Sequence, residues 1–163
     1  MPVPVEQFIY TKTDLPDEGL HLIAKNTLAP VDPHVLALFH WAASIANFAV
    51  GNYTEVRRDL QAIFSTHSHF PIPGIVKLTL PVASLILEHE GFPNRALEVL
   101  SLTYTCTDFT GWTKDWHPLL DLENRLKERF GPYKGQTAWK RGKSLSLDDV
   151  LQYMLIPSPL QAQ

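Results

Sequence analysis

Gly51 and Gly91 stand 40 residues apart, and each closes an apolar helical segment that is followed at once by another. Few patterns restrict a chain more, because a glycine stop between two helical periods makes a helix hairpin, and its recurrence makes two. Asp32-Pro33 reads as an N-cap followed by proline at the first helical position, and Val35 to Val50 then places Leu38, Trp41, Ala42, Ile45 and Ala49 at helical spacing. Beyond Gly51, Asn52 with Glu55 has the pattern of a capping box, opening a helix to about Phe64 with Val56, Leu60 and Ile63 on one stripe. After a loop from Ser65 to Pro73 the apolar run Ile75 to Leu87 stops at Gly91, and Pro93 opens a helix through Ala96, Leu97 and Leu100. The 40-residue superposition pairs Ser84 with Ser44 and Leu100 with Leu60, and it puts the two serines where helices approach closely. Pro81 breaks or kinks a helix running from Gly74, so the expected start is near Thr79, with Pro81 in the first turn.

The remaining punctuation is equally helical. A polar loop from Thr105 to His117 carries Asp108, Gly111, Trp112 and Trp116, and Leu119, Leu122, Leu126 and Phe130 then share one face up to Gly131-Pro132. A short helix through Ala138 and Trp139 stops at Gly142, and Ser146 with Asp149 forms a capping-box pattern for a last helix to Leu155. The expected organisation is an N-terminal arm over 1–31, with a short helix through Leu20, Ile23 and Leu28 and a strand-like Phe8 to Tyr10, then a helical domain over 32–156 and a flexible tail over 157–163. The class is all-α. With a net charge of -3 there is no global pull toward nucleic acid or an anionic membrane, and no segment is apolar for the ~18 residues of a membrane span. Cys106 is the single cysteine, which rules out an intrachain disulfide and suits a reducing, cytoplasmic setting.

Numbered from the turn glycines, each hairpin has a small residue at the crossing (Ser44, Ser84) and apolar anchors on its second helix (Val56 and Leu60; Ala96 and Leu100). This resembles tetratricopeptide-type repeats, with a period of 40 where that consensus has 34 and without its terminal proline. The stretch Ala138-Trp139-Lys140-Arg141-Gly142-Lys143-Ser144-Leu145-Ser146-Leu147-Asp148-Asp149-Val150 resembles the A-W-x-x-G-x-x-L-S-L-x-x-V ending of helical arrays in bacterial signalling proteins, among them LuxR-type and SARP-type regulators with NTPase modules. The resemblance implies a right-handed stack of antiparallel helix hairpins that senses a partner or signal. A G-x-x-x-x-G-K-[ST] phosphate loop and a helix-turn-helix after the array are missing, so no ATPase or DNA-binding activity is implied.

Neither a metal nor a cofactor is expected. His67-Ser68-His69, with His89, Glu88 and Asp108, carries imidazole and carboxylate but lacks the spacing of a ligand set; a metal-dependent hydrolase using these histidines is the alternative reading. Cys106 has no nucleophile pattern around it. Lys134, Lys140, Arg141 and Lys143 near Tyr133 and Trp139 have the composition of a single-strand binder, but the favoured reading is that Trp139 packs inward while the cations sit at the C-terminal end of the short helix, where the macrodipole suits them. By analogy with the repeat resemblance, the first helices line a groove whose candidate partner-binding residues are Leu38, Trp41, Ile45, Phe48, Leu85, Glu88 and His89. The stripe on the first helix is large enough that it is covered either by the N-terminal arm or by a partner, whether another protein, a neighbouring domain of a longer chain or a second copy.

Overall fold

The computed structural model describes residues 31–155, the side chains at 109 and 135 excepted. By its internal contacts the chain divides into residues 1–32 and 33–163, and only the second unit is described below. The arm's short helix, the strand-like Phe8 to Tyr10, the covering of the first helix by the arm and the tail over 157–163 fall outside the described residues.

All regular structure among the described residues is helical. α1 (Pro33–Ala49), α2 (Tyr53–His69), α3 (Pro73–His89) and α4 (Pro93–Thr105) follow one another through three-residue connections, so α1 and α3 begin and end 40 residues apart. The two glycine turns are built alike. Gly51 N–H donates to Phe48 O and Asn52 N–H to Asn47 O; Gly91 N–H donates to Glu88 O and Phe92 N–H to Leu87 O. This is the paired 5→2 and 6→1 bonding of a Schellman C-cap, and it requires the left-handed backbone at the glycine, where φ is 77° at Gly51 and 86° at Gly91. Ser44 and Ser84 are fully buried, and each turns its hydroxyl onto the carbonyl three residues back, Trp41 O at 2.7 Å and Pro81 O at 2.8 Å. A buried hydroxyl satisfied on its own helix leaves its outer surface small and apolar, which is what a close crossing needs.

Three expectations change. α3 starts at Pro73, not near Thr79, and Pro81 lies in the helix interior. Pro73 supplies the ready-made first turn, and α3 is the most deeply packed helix, so tertiary burial outweighs the local cost of a proline that cannot donate to the Lys77 carbonyl. In the turn before Pro81 the Trp41 indole donates to Leu78 O at 3.1 Å, adding a hydrogen bond from α1. α2 continues five residues past Phe64. Its last turns are closed by side chains: Thr66 donates to Ala62 O and Ser68 to Phe64 O, while His67 Nδ1 accepts from Ile72 N–H at 2.9 Å. Asn52 makes no side-chain cap, and the reciprocal half of the box is absent as well, since the Asn52 N–H is committed to the Schellman turn and Glu55 pairs with Arg58 at 2.8 Å.

After α4 the chain makes a four-residue turn α5 (Thr107–Thr110) and a 3-10 segment (Gly111–Asp115), where only a polar loop was expected. Buried Thr110 and Thr113 hold it, Thr110 Oγ1 donating to Thr103 O and Thr113 Oγ1 to Thr110 O, both at 2.7 Å. Then come α6 (His117–Phe130), α7 (Thr137–Gly142) and α8 (Leu147–Leu155). α1 packs on α2 and α3 on α4; α1 and α2 both pack on α3; α6 covers α3, α7 covers α4, and α8 lies against α2 and α3. One core cluster joins α1 to α4 with α8, through Leu60, Phe64, Leu80, Ile86, Val99 and Val150; a second, through Leu97, Leu100, Leu122, Leu126 and Trp139, seals the α4–α6–α7 side. Trp139 therefore belongs to the second cluster while Leu147 is half-buried against the first, so the C-terminal motif divides its apolar residues between the two.

The last helix has the capping box its sequence shows. Asp149 N–H donates to Ser146 Oγ at 3.1 Å, and Asp149 Oδ2 accepts from Ser146 N–H at 2.9 Å and from its hydroxyl at 2.7 Å. These donors hold the Asp149 carboxyl below its usual value of 3.8. A depressed acid stabilises the fold above its unfolded-state pKa and loses that contribution as pH falls through the native one. Ser146→Ala is expected to lower stability by about 0.5 to 2 kcal/mol at neutral pH, and the difference from wild type should shrink in thermal melts taken below the ordinary Asp range.

Candidate functional site

The expected groove residues fall into two places. Phe48, at the C-terminal end of α1, meets Leu85, Glu88 and His89 of α3 in one cavity of about 440 Å³, completed by Tyr53, Pro118, Asp121 and Arg125. Leu38, Trp41 and Ile45 do not line this cavity. Leu38 is 43% exposed, while Trp41 and Ile45 are half-buried against the first core cluster.

Aromatic rings connect the two places. Trp41 meets the edge of Trp112 with centroids 6.1 Å apart, Trp112 meets Trp116 at 5.3 Å, and Trp116 meets Phe48 at 6.3 Å. Phe48 continues to Tyr53 at 5.6 Å, and Tyr53 lies over the His89 ring at 3.8 Å. The row runs unbroken from Trp41 to His89, with each end on a different stacked helix. Trp112 is 41% exposed and His89 is exposed, so the row is neither core nor bare surface. Trp112 and Trp116 come from the 3-10 segment and its end, which no periodicity in the sequence links to α1.

The cavity end of the row is charged. Arg125 of α6 grips Glu88 with its fork, Nε lying 3.2 Å from both carboxylate oxygens and Nη2 3.0 Å from Oε2. Such a pair is partly exposed and adds little stability, but it fixes the direction in which the carboxylate points. With Asp121 alongside, two carboxylates face one guanidinium, so the cavity carries a net negative charge when His89 is neutral. Tyr53, Trp116, Asp121 and Arg125 were not among the expected residues, since contacts such as that of Arg125 with Glu88 join positions 37 apart in the chain.

Other chemistry is accounted for structurally. His67 caps the end of α2, and the His69 ring donates to Ser65 O at 2.9 Å. His89 lies at the far end of α3, roughly 24 Å of helix away from the α2–α3 junction. Among the described residues no group of three or more His, Cys, Asp or Glu stands close enough to hold a metal ion. Cys106 caps α4, and burial pushes its thiol above the usual value, away from an activated thiolate. Tyr133 and Trp139 are buried with Lys134 standing over both rings, so neither of these two rings is free to stack on a base. A further cavity of about 500 Å³ is lined by Arg95, Glu98, Arg141 and Tyr153. Here Glu98 accepts from the Tyr153 hydroxyl and pairs with Arg141 at 3.6 Å, and burial with this carboxylate raises the phenol to about 12. No helix among the described residues is long and apolar enough to cross a membrane. No protein-family model, curated protein or solved structure matches this chain.

Proposed function

We propose that this chain is a tetratricopeptide-like stack of helix hairpins acting as a non-catalytic protein-interaction or sensor module, with the aromatic row and its charged cavity as the surface that receives a partner segment. The observation that carries the reading is the half-exposed row from Trp41 to His89, ending at the clamped Glu88 and at Asp121. Rigid aromatic side chains give large contact area at small entropic cost, and a net negative end selects a segment that sets a basic residue beside an apolar one. The C-terminal motif's resemblance supports placing such a module in a bacterial signalling or transcription-regulatory system, with the partner a separate protein or a neighbouring domain of a longer chain.

A peptide array probed with the purified chain tests the proposal. Peptides pairing Lys or Arg with a large apolar residue are expected to be retained, and Trp112→Ala should weaken them about tenfold or more while leaving the melting temperature near wild type. Leu120→Ala, an exposed apolar residue outside the cavity lining, should change nothing. An array with no retained peptide, or retention indifferent to Trp112, would sink the reading.

A further inference from the structure

The cavity of about 500 Å³ that α4, the end of α6, α7 and α8 line together holds two guanidiniums and one carboxylate, those of Arg95, Arg141 and Glu98. Its other lining residues among those described are uncharged, so the wall carries a net positive charge. Glu98 is 6% exposed and already committed, one oxygen accepting from the Tyr153 hydroxyl and the other facing Arg141. At 3.6 Å the approach of Arg141 is an ion pair without a hydrogen bond, so its N–H groups are not spent on Glu98.

Arg95 is the unbalanced member of the set. Its guanidinium carbon lies 4.9 Å from the centroid of the Phe92 ring and 5.0 Å from that of Tyr153, and two ring faces hold a cation in place without neutralising it. Its Nη1 is buried and has no acceptor. The carboxylates of this region are taken, Glu90 by Arg57 and Glu98 by Tyr153 and Arg141. Arg57 itself is close enough for the two guanidiniums to repel, which adds to the positive potential at Arg95. A water can accept from a buried N–H, but it leaves this surplus of charge where it is.

We infer that this cavity is a binding site for a small organic monocarboxylate with an apolar body, its carboxylate paired with Arg95 and Arg141 and its body against Phe130, Ala138 and the Tyr153 ring. A carboxylate matches the planar fork of a guanidinium, and its single charge balances the surplus of one. A dianionic phosphate ester would bring a second negative charge up to the buried Glu98 carboxylate, which repels it. The volume lies within the range of small-molecule sites, and the wall has the mixture such sites use, apolar surface with a few convergent polar groups. None of these residues belongs to the aromatic row, so the inference does not depend on the function proposed above.

Titration of the isotope-labelled full chain with phenylacetate, followed by nuclear magnetic resonance, is the test. Saturable shifts are expected at Arg95, Ala138 and Tyr153. Phenylacetamide has the same shape without the charge and should bind about tenfold more weakly or worse, and phenyl phosphate above its second ionisation should also bind more weakly than the acid. Arg95→Met is expected to weaken phenylacetate about tenfold or more. Because Arg95 also packs between two rings, its variant is checked by thermal melting. Arg141→Gln alters a side chain 66% exposed, should keep the fold, and is expected to weaken binding about threefold or more, so it decides alone if Arg95→Met melts early. Trp112→Ala should leave the titration unchanged, which separates this test from that of the aromatic row. No saturable shift, shifts centred on Glu88 and His89, an amide or a phosphate bound as tightly as the acid, or binding indifferent to Arg141→Gln overturns the inference.

Discussion

Arg57→Met is expected to destabilise the protein by about 3 to 5 kcal/mol at neutral pH, the cost of leaving one member of a buried ion pair without the other. Arg57 is 1% exposed on α2, and one guanidinium nitrogen reaches Glu90 Oε2 at 2.9 Å in the turn after α3. The other donates to Tyr153 O at 3.1 Å at the end of α8, where Gln61 also donates to Met154 O at 3.0 Å. One side chain therefore ties together both hairpins and the last helix, and its positive charge meets the negative end of α8. Burial raises the Glu90 carboxyl above its ordinary 4.5, and Arg57 pulls it part of the way back. Without Arg57 the native value rises further. In the interval between the variant's and the wild type's native values, both above 4.5, the variant's folded state binds the extra proton, so its deficit narrows as pH falls through that interval. Urea melts at neutral pH and near pH 4 should show the narrowing. Arg57→Met with Glu90→Leu should recover much of the loss, because a buried pair replaced whole by apolar groups is close to neutral. A deficit under about 1 kcal/mol, or a double variant as weak as the single, would remove the ion pair from the account.

Gly142→Ala is the second large expected loss, of about 2 to 4 kcal/mol, against a gain of roughly 1 kcal/mol that alanine brings to an unhindered helix. A Cβ at this position would fall 2.6 Å from Ser101 Cβ and 2.9 Å from the Glu98 carbonyl carbon, and it would meet the Glu98 carbonyl oxygen closer still. Backbone cannot step aside as a side-chain tip can, so α7 would have to lift away from α4. The Ser101 hydroxyl, which donates to Trp139 O at 2.7 Å in the same crossing, would lose its partner. Thermal melts and amide exchange localised to α4 and α7 measure this; a variant as stable as wild type would show that the crossing has slack. Gly51→Ala gives a contrast, since no atom lies within 4 Å and its cost comes only from the φ of 77°.

The two glycines show how far the sequence reaches. A glycine that closes a helix is legible because its neighbours carry the helical period, and both hairpins turn where that period places them. The same local logic gives the Ser146 cap and the apolar face of α6. It misplaces the end of α2, where Thr66, Ser68 and His67 spend their polar groups on helix carbonyls and a linker amide instead of water. It misplaces the start of α3, where burial on several sides outweighs Pro81. Of the expected groove residues, Phe48, Leu85, Glu88 and His89 come together, because they sit at equivalent ends of successive first helices. Leu38, Trp41 and Ile45 lie outside the cavity, Trp41 and Ile45 packed against the first core cluster and Leu38 left 43% exposed.

What the sequence by itself determined is therefore local: which segments are helical, where glycine and proline stop them, and that the pattern recurs after 40 residues. Periods of 3.6 residues and capping bonds three or four residues long are short-range effects, written in adjacent letters. Only the tertiary structure decided that Arg57 meets Glu90 33 residues away, that Glu98 and Ser101 leave no room beyond a hydrogen at position 142, and that Trp112 and Trp116 bridge α1 to the groove. Such contacts depend on how helices cross, and crossing angle and depth are set by the summed packing of the whole core, which no single stretch of the chain contains.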